Sequence, residues 1–281
     1  MKKLFWLLIS TVVAPACQPQ ASSREQAPAR PAVAAVPPPA QRVTASGADS
    51  TAALLMLLRE VDLTPLVANR PDSSAKARDQ VMEGFFGPDH YHISFFFTKA
   101  RRDSLRPQMV HLWGLNRYKK VVTPFTGTCI VTRLAALPDT VTLEHSQRVN
   151  AYTAFASFVL REDPATKGAG VYSGRALFDF TVDEARRVQF ANFMEMDAGG
   201  GNPTNGGGLV FRGQWQNNKT GQRKPVSWSR FYEAIVPDVL RKLGLGERGD
   251  EVHPRLAKYG WSEIWENDEW WAKSPKPSLT L

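Results

Sequence analysis

His90-x-His92 sets two imidazoles two residues apart in a stretch that alternates apolar and polar side chains. In an extended strand that spacing places both on one face. Asp89 could then supply a third ligand for a divalent transition metal. His90 and His92 are nevertheless weak metal candidates. No carboxylate–histidine helix motif accompanies them, and His111, His145 and His253 stand singly. Solvated histidines on a polar face are the simpler reading, so neither a metal nor another cofactor is expected. Carboxylates offer the other route to chemistry. Glu195 with Asp197, and Glu263 with Asp268, supply the residue types that glycoside hydrolysis requires. Glu195 and Asp197 would share one face of a strand, but solvated charges beside a loop are the preferred reading.

Ser73-x-x-Lys76 and Lys219-Thr220-Gly221 look like two of the three signatures of serine β-lactamases and penicillin-binding proteins. Their context is wrong. That fold needs a helical domain between the two motifs, whereas the intervening sequence here is strand-rich and contains no Ser-Asp-Asn. Asn217-Asn218-Lys219-Thr220-Gly221 reads instead as a hairpin turn. The glycine-rich stretch from Gly199 to Gly208 lacks the Gly-Lys-Ser/Thr that closes a phosphate cradle, and reads as a loop between strands. No catalytic residue is assigned.

Charge and composition exclude further classes. The 281 residues carry 35 Lys plus Arg against 27 Asp plus Glu, a net charge of +8, and two cysteines. Two cysteines cannot build a disulfide scaffold or a sulfur-rich zinc site. Basic residues gather at Lys99-Arg101-Arg102-Arg106, at Arg117-Lys119-Lys120 and at Lys219-Arg223-Lys224-Arg230. Behind an export signal these suit anionic envelope surfaces such as lipid headgroups rather than nucleic acid, and ordinary solvated loops explain them as well.

The elements that must position these residues are mostly strands. Tyr91, Ile93, Phe95 and Phe97 alternate with polar neighbours, and strands are expected at Gln108–Leu115, Val121–Leu134, Ala151–Arg161, Val171–Val182, Val188–Glu195 and Leu209–Gln216. An aromatic precedes a glycine by two residues in Phe125-Thr126-Gly127, Tyr172-Ser173-Gly174 and Phe211-Arg212-Gly213. Gly127, Gly174 and Gly213 are therefore expected to be structural, making room for inward rings where strands bend. Cys129 falls on the same face as Phe125 and Gly127 and is expected to be a buried, reduced thiol. Ala48–Val61 reads as an amphipathic helix ended before Pro65, and Arg230–Leu243 as a helix kinked at Pro237. Trp261, Trp265, Trp270 and Trp271 alternate with acidic residues in the tail and suit packing on a sheet. The expected class is mainly β: an antiparallel curled sheet or β-barrel, with an N-terminal helix and C-terminal helical segments.

The N-terminus supplies an address. Lys2 and Lys3 precede an apolar stretch from Leu4 to Val13, then small residues. Ala14-Pro15-Ala16-Cys17 resembles the lipobox of bacterial lipoproteins, with Ala14 where Leu is usual. Residues 1–16 thus read as a signal peptide. Residues 17–47 read as a lipidated, palmitate-bearing Cys17 and a disordered Ala/Pro-rich linker, and residues 48–281 as a single β-rich domain. Roughly 30 linker residues at about 3 Å each could hold that domain many tens of Å off a membrane. The ordered pieces Phe125-Thr126-Gly127-Thr128, Tyr172-Ser173-Gly174, Phe211-Arg212-Gly213-Gln214-Trp215, Trp228 and Tyr259-Gly260-Trp261 resemble a loose group of bacterial secreted lipoproteins between about His90 and Trp261. That resemblance implies an exported β-rich domain and brings no catalytic residue with it. The expectation is a protein exported and anchored to the cell envelope through Cys17, facing the periplasm or cell surface. Its domain would bind an envelope ligand or protein partner without catalysis. The alternative is a periplasmic or surface glycan hydrolase using paired carboxylates.

Overall fold

Alternation of side chains along long strands dictates the architecture, because each strand offers one apolar face and one polar face. The computed structural model of the protein describes residues 51–68, 81–137, 141–142, 148–191, 203–247, 254–266 and 268–274. In chain order the strands are β1 (Met82–Phe86), β2 (Tyr91–Arg102), β3 (Met109–Tyr118), β4 (Val121–Ala136), β5 (Val141–Thr142), β6 (Arg148–Glu162), β7 (Gly170–Val182), β8 (Val188–Phe190), β9 (Leu209–Asn217) and β10 (Arg223–Ser229). The eight longer ones form a closed antiparallel barrel. Each pairs with the next along the chain, with β5 and β8 as short side strands, and β10 returns to pair with β1. Closure leaves no free edge on the barrel wall.

The interior is a packed core. Ile93, Phe95 and Phe97 from β2 meet Leu112, Phe125, Cys129, Phe158, Leu160, Phe178, Phe211 and Trp228, all essentially buried. Trp228 lies between two rings, stacked on Phe95 at 4.0 Å and on Phe211 at 4.7 Å. Phe158 and Tyr172 meet it edge-on at 5.3 and 6.0 Å. Burial pushes the Cys129 thiol up to about 12.

Glycines permit this packing, though not chiefly by making room for rings. A Cβ on Gly174 would collide with the Arg212 carbonyl and lie 2.6 Å from the Gly213 Cα. On Gly127 it would strike the Val159 carbonyl and lie 2.8 Å from the Leu160 Cα, and on Gly213 it would strike the Ser173 carbonyl. The obstacle is the neighbouring strand's backbone, as expected where strands coil tightly.

Each end of the barrel is closed. At one, α1 (Thr51–Glu60) and α2 (Thr64–Val67) place Leu58, Val61, Leu63, Leu66 and Val67 on the core. Arg102 Nη1 donates to the carbonyls of Leu58 and Val61, both at 3.0 Å, and so satisfies the C-terminus of α1. Pro65 lies in the first turn of α2, where its missing N–H costs nothing. Toward the other end, the inward Glu162 carboxylate accepts from Asn116 Nδ2 (2.8 Å), Tyr172 OH (3.0 Å), the Gly170 amide (2.7 Å) and Trp215 Nε1 (2.9 Å). Four donors on two oxygens offset its desolvation. Burial and that carboxylate push the Tyr172 phenol well above its ordinary value.

After β10 the chain runs over the barrel wall. The helix expected at Arg230–Leu243 is divided: a 3-10 turn spans Tyr232–Ile235 and α3 only Asp238–Arg241. Pro237 stands as the N-cap of α3 with Val236 extended before it, as a proline requires of its predecessor. Further on, α4 (Pro254–Ala257) and a 3-10 turn at Trp261–Trp265 complete the cover.

Gly174→Leu is expected to destabilise the protein by about 3 kcal/mol, because the strand beside it must move. Ser173→Leu, on the exposed face, should cost about 0.5 kcal/mol or less. Urea melts that gave equal midpoints would contradict the packing described here.

Candidate functional site

The outer face of β1, β2 and β3 carries residues that a solvated wall would not. Phe85, His92 and Ser94 are 3%, 3% and 1% exposed. The C-terminal segment buries them. Trp261 packs on Phe85 at 4.8 Å and His92 at 4.6 Å, and its Nε1–H donates to the His90 carbonyl at 3.3 Å. Phe85, Val236, Leu240, Leu245, Leu256 and Trp261 form a second apolar cluster outside the barrel. Gly260 has φ 79°, and a Cβ there would lie 2.7 Å from the Tyr91 ring, so the chain approaches the wall as closely as glycine allows.

Arg117, outward on β3 and only 5% exposed, holds the rest of the segment. Its Nη1 contacts Asp268 Oδ2 at 2.6 Å and lies 3.8 Å from Glu266, while Nη2 lies 3.8 Å from Glu263 and donates to the Glu263 carbonyl at 3.4 Å. The guanidinium also sits 5.4 Å from the Trp270 ring centre, a cation–π contact. Trp271 stacks on Phe96 at 5.7 Å.

Between wall and segment lies a groove of about 350 Å³, lined by Val81, Glu83, Arg117, Arg230, Phe231, Tyr232, Glu233, Glu263, Ile264, Glu266, Trp270 and Trp271. At its base, Glu83 Oε2 accepts from Ser94 Oγ at 2.6 Å and from His92 Nε2 at 2.7 Å. Serine, histidine and a carboxylate in contact suggest a nucleophile relay, but the order differs. A relay needs the histidine in the middle and the hydroxyl open to substrate. Here Ser94 Oγ also lies 3.3 Å from His92 Nε2, so hydroxyl and carboxylate share one imidazole nitrogen instead of flanking the ring, and Ser94 is buried; His92 and Ser94 therefore orient Glu83. Burial, with the charges of Glu233 and Glu83, pushes the Tyr232 phenol up to about 12, so it stays a neutral hydrogen-bonding group.

The sequence-predicted residues divide between this site and elsewhere. His90 precedes β2 in a turn, at φ 56°, so it does not share the strand face of His92. His92 is committed to Glu83, and Asp89 is exposed in the turn. Among the described residues no group of three His, Cys, Asp or Glu is placed to hold a metal. Glu263 and Asp268 do converge, around Arg117. His111 pairs with Asp103 at 2.9 Å on a different part of the wall. Gly127, Gly174 and Gly213 lie within the barrel strands. Cys17, Ser73, Lys76, His145, Glu195, Asp197 and His253 fall outside the described residues. Of the glycine-rich stretch, residues 203–208 are described. Thr204 is fixed there by Asp179, through its amide at 3.2 Å and its hydroxyl at 2.5 Å.

Glu83, Phe231, Tyr232 and Glu233 were not legible as site residues. The tryptophan pair at 270–271 and Arg117, a cation inside the mostly apolar β3, were the available signals. Comparison with protein-family models, curated proteins and solved structures gave no match to this chain.

Arg117→Met keeps an apolar stem near Trp270 but leaves Asp268, Glu263 and Glu266 without their common cation. Breaking a buried pair on one side costs about 3 kcal/mol. The segment should loosen, and a glutamate-specific protease should cleave it near Glu266 faster than in the unmodified protein. Cleavage at the unmodified rate would show that Arg117 does not hold the segment.

Proposed function

We propose that the protein is a lipoprotein of the bacterial cell envelope, exported by residues 1–16 and anchored through Cys17, whose barrel domain binds an envelope saccharide in the groove beside Arg117. The observation that carries this reading is the occupied barrel interior. Trp228 between Phe95 and Phe211 takes the space that an open barrel would offer a ligand, which directs binding to the outer wall. The groove supplies what a polyhydroxylated ring needs. Trp270, Trp271, Phe231 and Tyr232 offer flat apolar faces, Glu83, Glu233 and Glu263 accept from hydroxyls, and Arg117 donates.

Binding is preferred to hydrolysis because the carboxylates are already engaged. Glu263, Glu266 and Asp268 surround one guanidinium, and Glu83 is held by two neighbours. Glycoside cleavage needs one carboxyl kept protonated beside the leaving oxygen. Hydrolysis stays as the second reading because several carboxylates line the same groove.

The test uses a trimer of β-1,4-linked N-acetylglucosamine and isolated peptidoglycan as probes. Binding should change tryptophan fluorescence and weaken at least about 10-fold in Trp270→Ala, without new reducing ends. Equal affinity in that variant, or no binding of either probe, would remove the groove reading. Reducing ends that disappear in Glu83→Gln would establish the hydrolase instead. Cys17→Ser should leave the membrane fraction, since all acyl chains depend on that residue. A variant that resists salt and carbonate washing would remove the lipid-anchor reading.

A further inference from the structure

The hairpins remote from α1 place two basic clusters, about a hundred residues apart in sequence, on one rim of the barrel, on opposite sides of its mouth. Lys119 and Lys120 form the β3–β4 turn, Lys167 lies in the β6–β7 turn, Lys219 in the β9–β10 turn, and Arg223 and Lys224 begin β10. In an up-and-down barrel these turns share one rim. The carboxylates at or beside the same rim are Asp89, Asp163, Glu263 and Glu266. Asp163 caps its own turn by accepting from the Ala165 amide, and Glu266 faces Arg117 as well as Lys120. The six named cations thus outnumber four carboxylates. Lys119, Lys167, Lys219 and Arg223 form no salt bridge among the described residues. Beside the lysines, Val121 and Val122 are 55% and 38% exposed.

Backbone geometry adds an independent observation. Tyr118 pairs directly with Val121, so the turn holds only Lys119 and Lys120, at φ 49° and 63°. A two-residue turn with both centres left-handed favours Asn-Gly, whereas lysine is strained there. The fold therefore carries two cations at a tip where neither residue suits the backbone.

We propose that this rim docks on the headgroups of an anionic phospholipid bilayer, with Val121 and Val122 entering the headgroup layer. This contact is separate from the Cys17 anchor and adjoins the groove at Glu266, which Lys120 and Arg117 share. The negative potential of such a surface attracts clustered lysines within about one Debye length, and small apolar side chains add to it.

The test uses residues 48–281, because Ala48–Leu281 is one compact unit and lacks Cys17. Co-sedimentation with vesicles of phosphatidylethanolamine and phosphatidylglycerol should exceed that with phosphatidylcholine and weaken as salt is raised. Changing Lys119→Asn together with Lys120→Gly relieves the turn and removes two charges. The urea midpoint should rise while vesicle affinity falls about 25-fold, at roughly 5-fold per charge. Unchanged affinity in that variant would overturn the proposal. So would an equal loss from Arg101→Glu with Arg106→Glu at the opposite end, or tighter binding to a DNA oligonucleotide than to the vesicles.

Discussion

Trp228 stacked between Phe95 and Phe211 is the contact on which the rest of the barrel depends. Eight closed strands enclose a space of nearly fixed width, and side chains must fill it to native density. Three parallel rings do so across β2, β9 and β10, with Phe158 and Tyr172 against their edges. Strands so tightly coiled bring backbone against backbone, which is why Gly84 faces Trp228 and Gly174 faces Gly213. With the interior occupied, recognition moves to the wall, where the C-terminal segment builds a second surface on β1–β3.

Polar groups mark the borders of these two cores. Glu162 satisfies its lone pairs with neutral donors and needs no cation, whereas Arg117 draws three carboxylates onto the wall. Asp179, fully buried beneath Thr204, has its carboxyl pushed above the ordinary value by burial, partly offset by the hydroxyls of Thr153 and Thr204. The folded state therefore favours its protonated form. Its contribution to stability is fully present below the unfolded carboxyl value and declines as pH rises through the folded one.

Much of the barrel was legible because alternation in β2, β3, β4, β6, β7 and β9 runs for nine residues or more. β1 and β10 escaped notice for a physical reason. β1 is five residues centred on Gly84 and β10 contains Pro225, so each reads locally as a turn, and only pairing with its neighbours makes it a strand. The same limit applies to the groove. Arg117 and Asp268 lie 151 residues apart, and nothing local to either announces the other. His90 misled because a period-two pattern does not reveal where a strand begins.

Hydrogen exchange at the Trp228 indole, followed by NMR, tests the solid-barrel account most directly. Its Nε1–H is buried without an acceptor. If the core is closed, that proton should exchange only through global unfolding, with the free energy measured in urea, and its signal should not shift when saccharide is added. Exchange as fast as an exposed indole, or a saccharide-induced shift as large as that at Trp270, would mean that the interior is open to solvent and ligand.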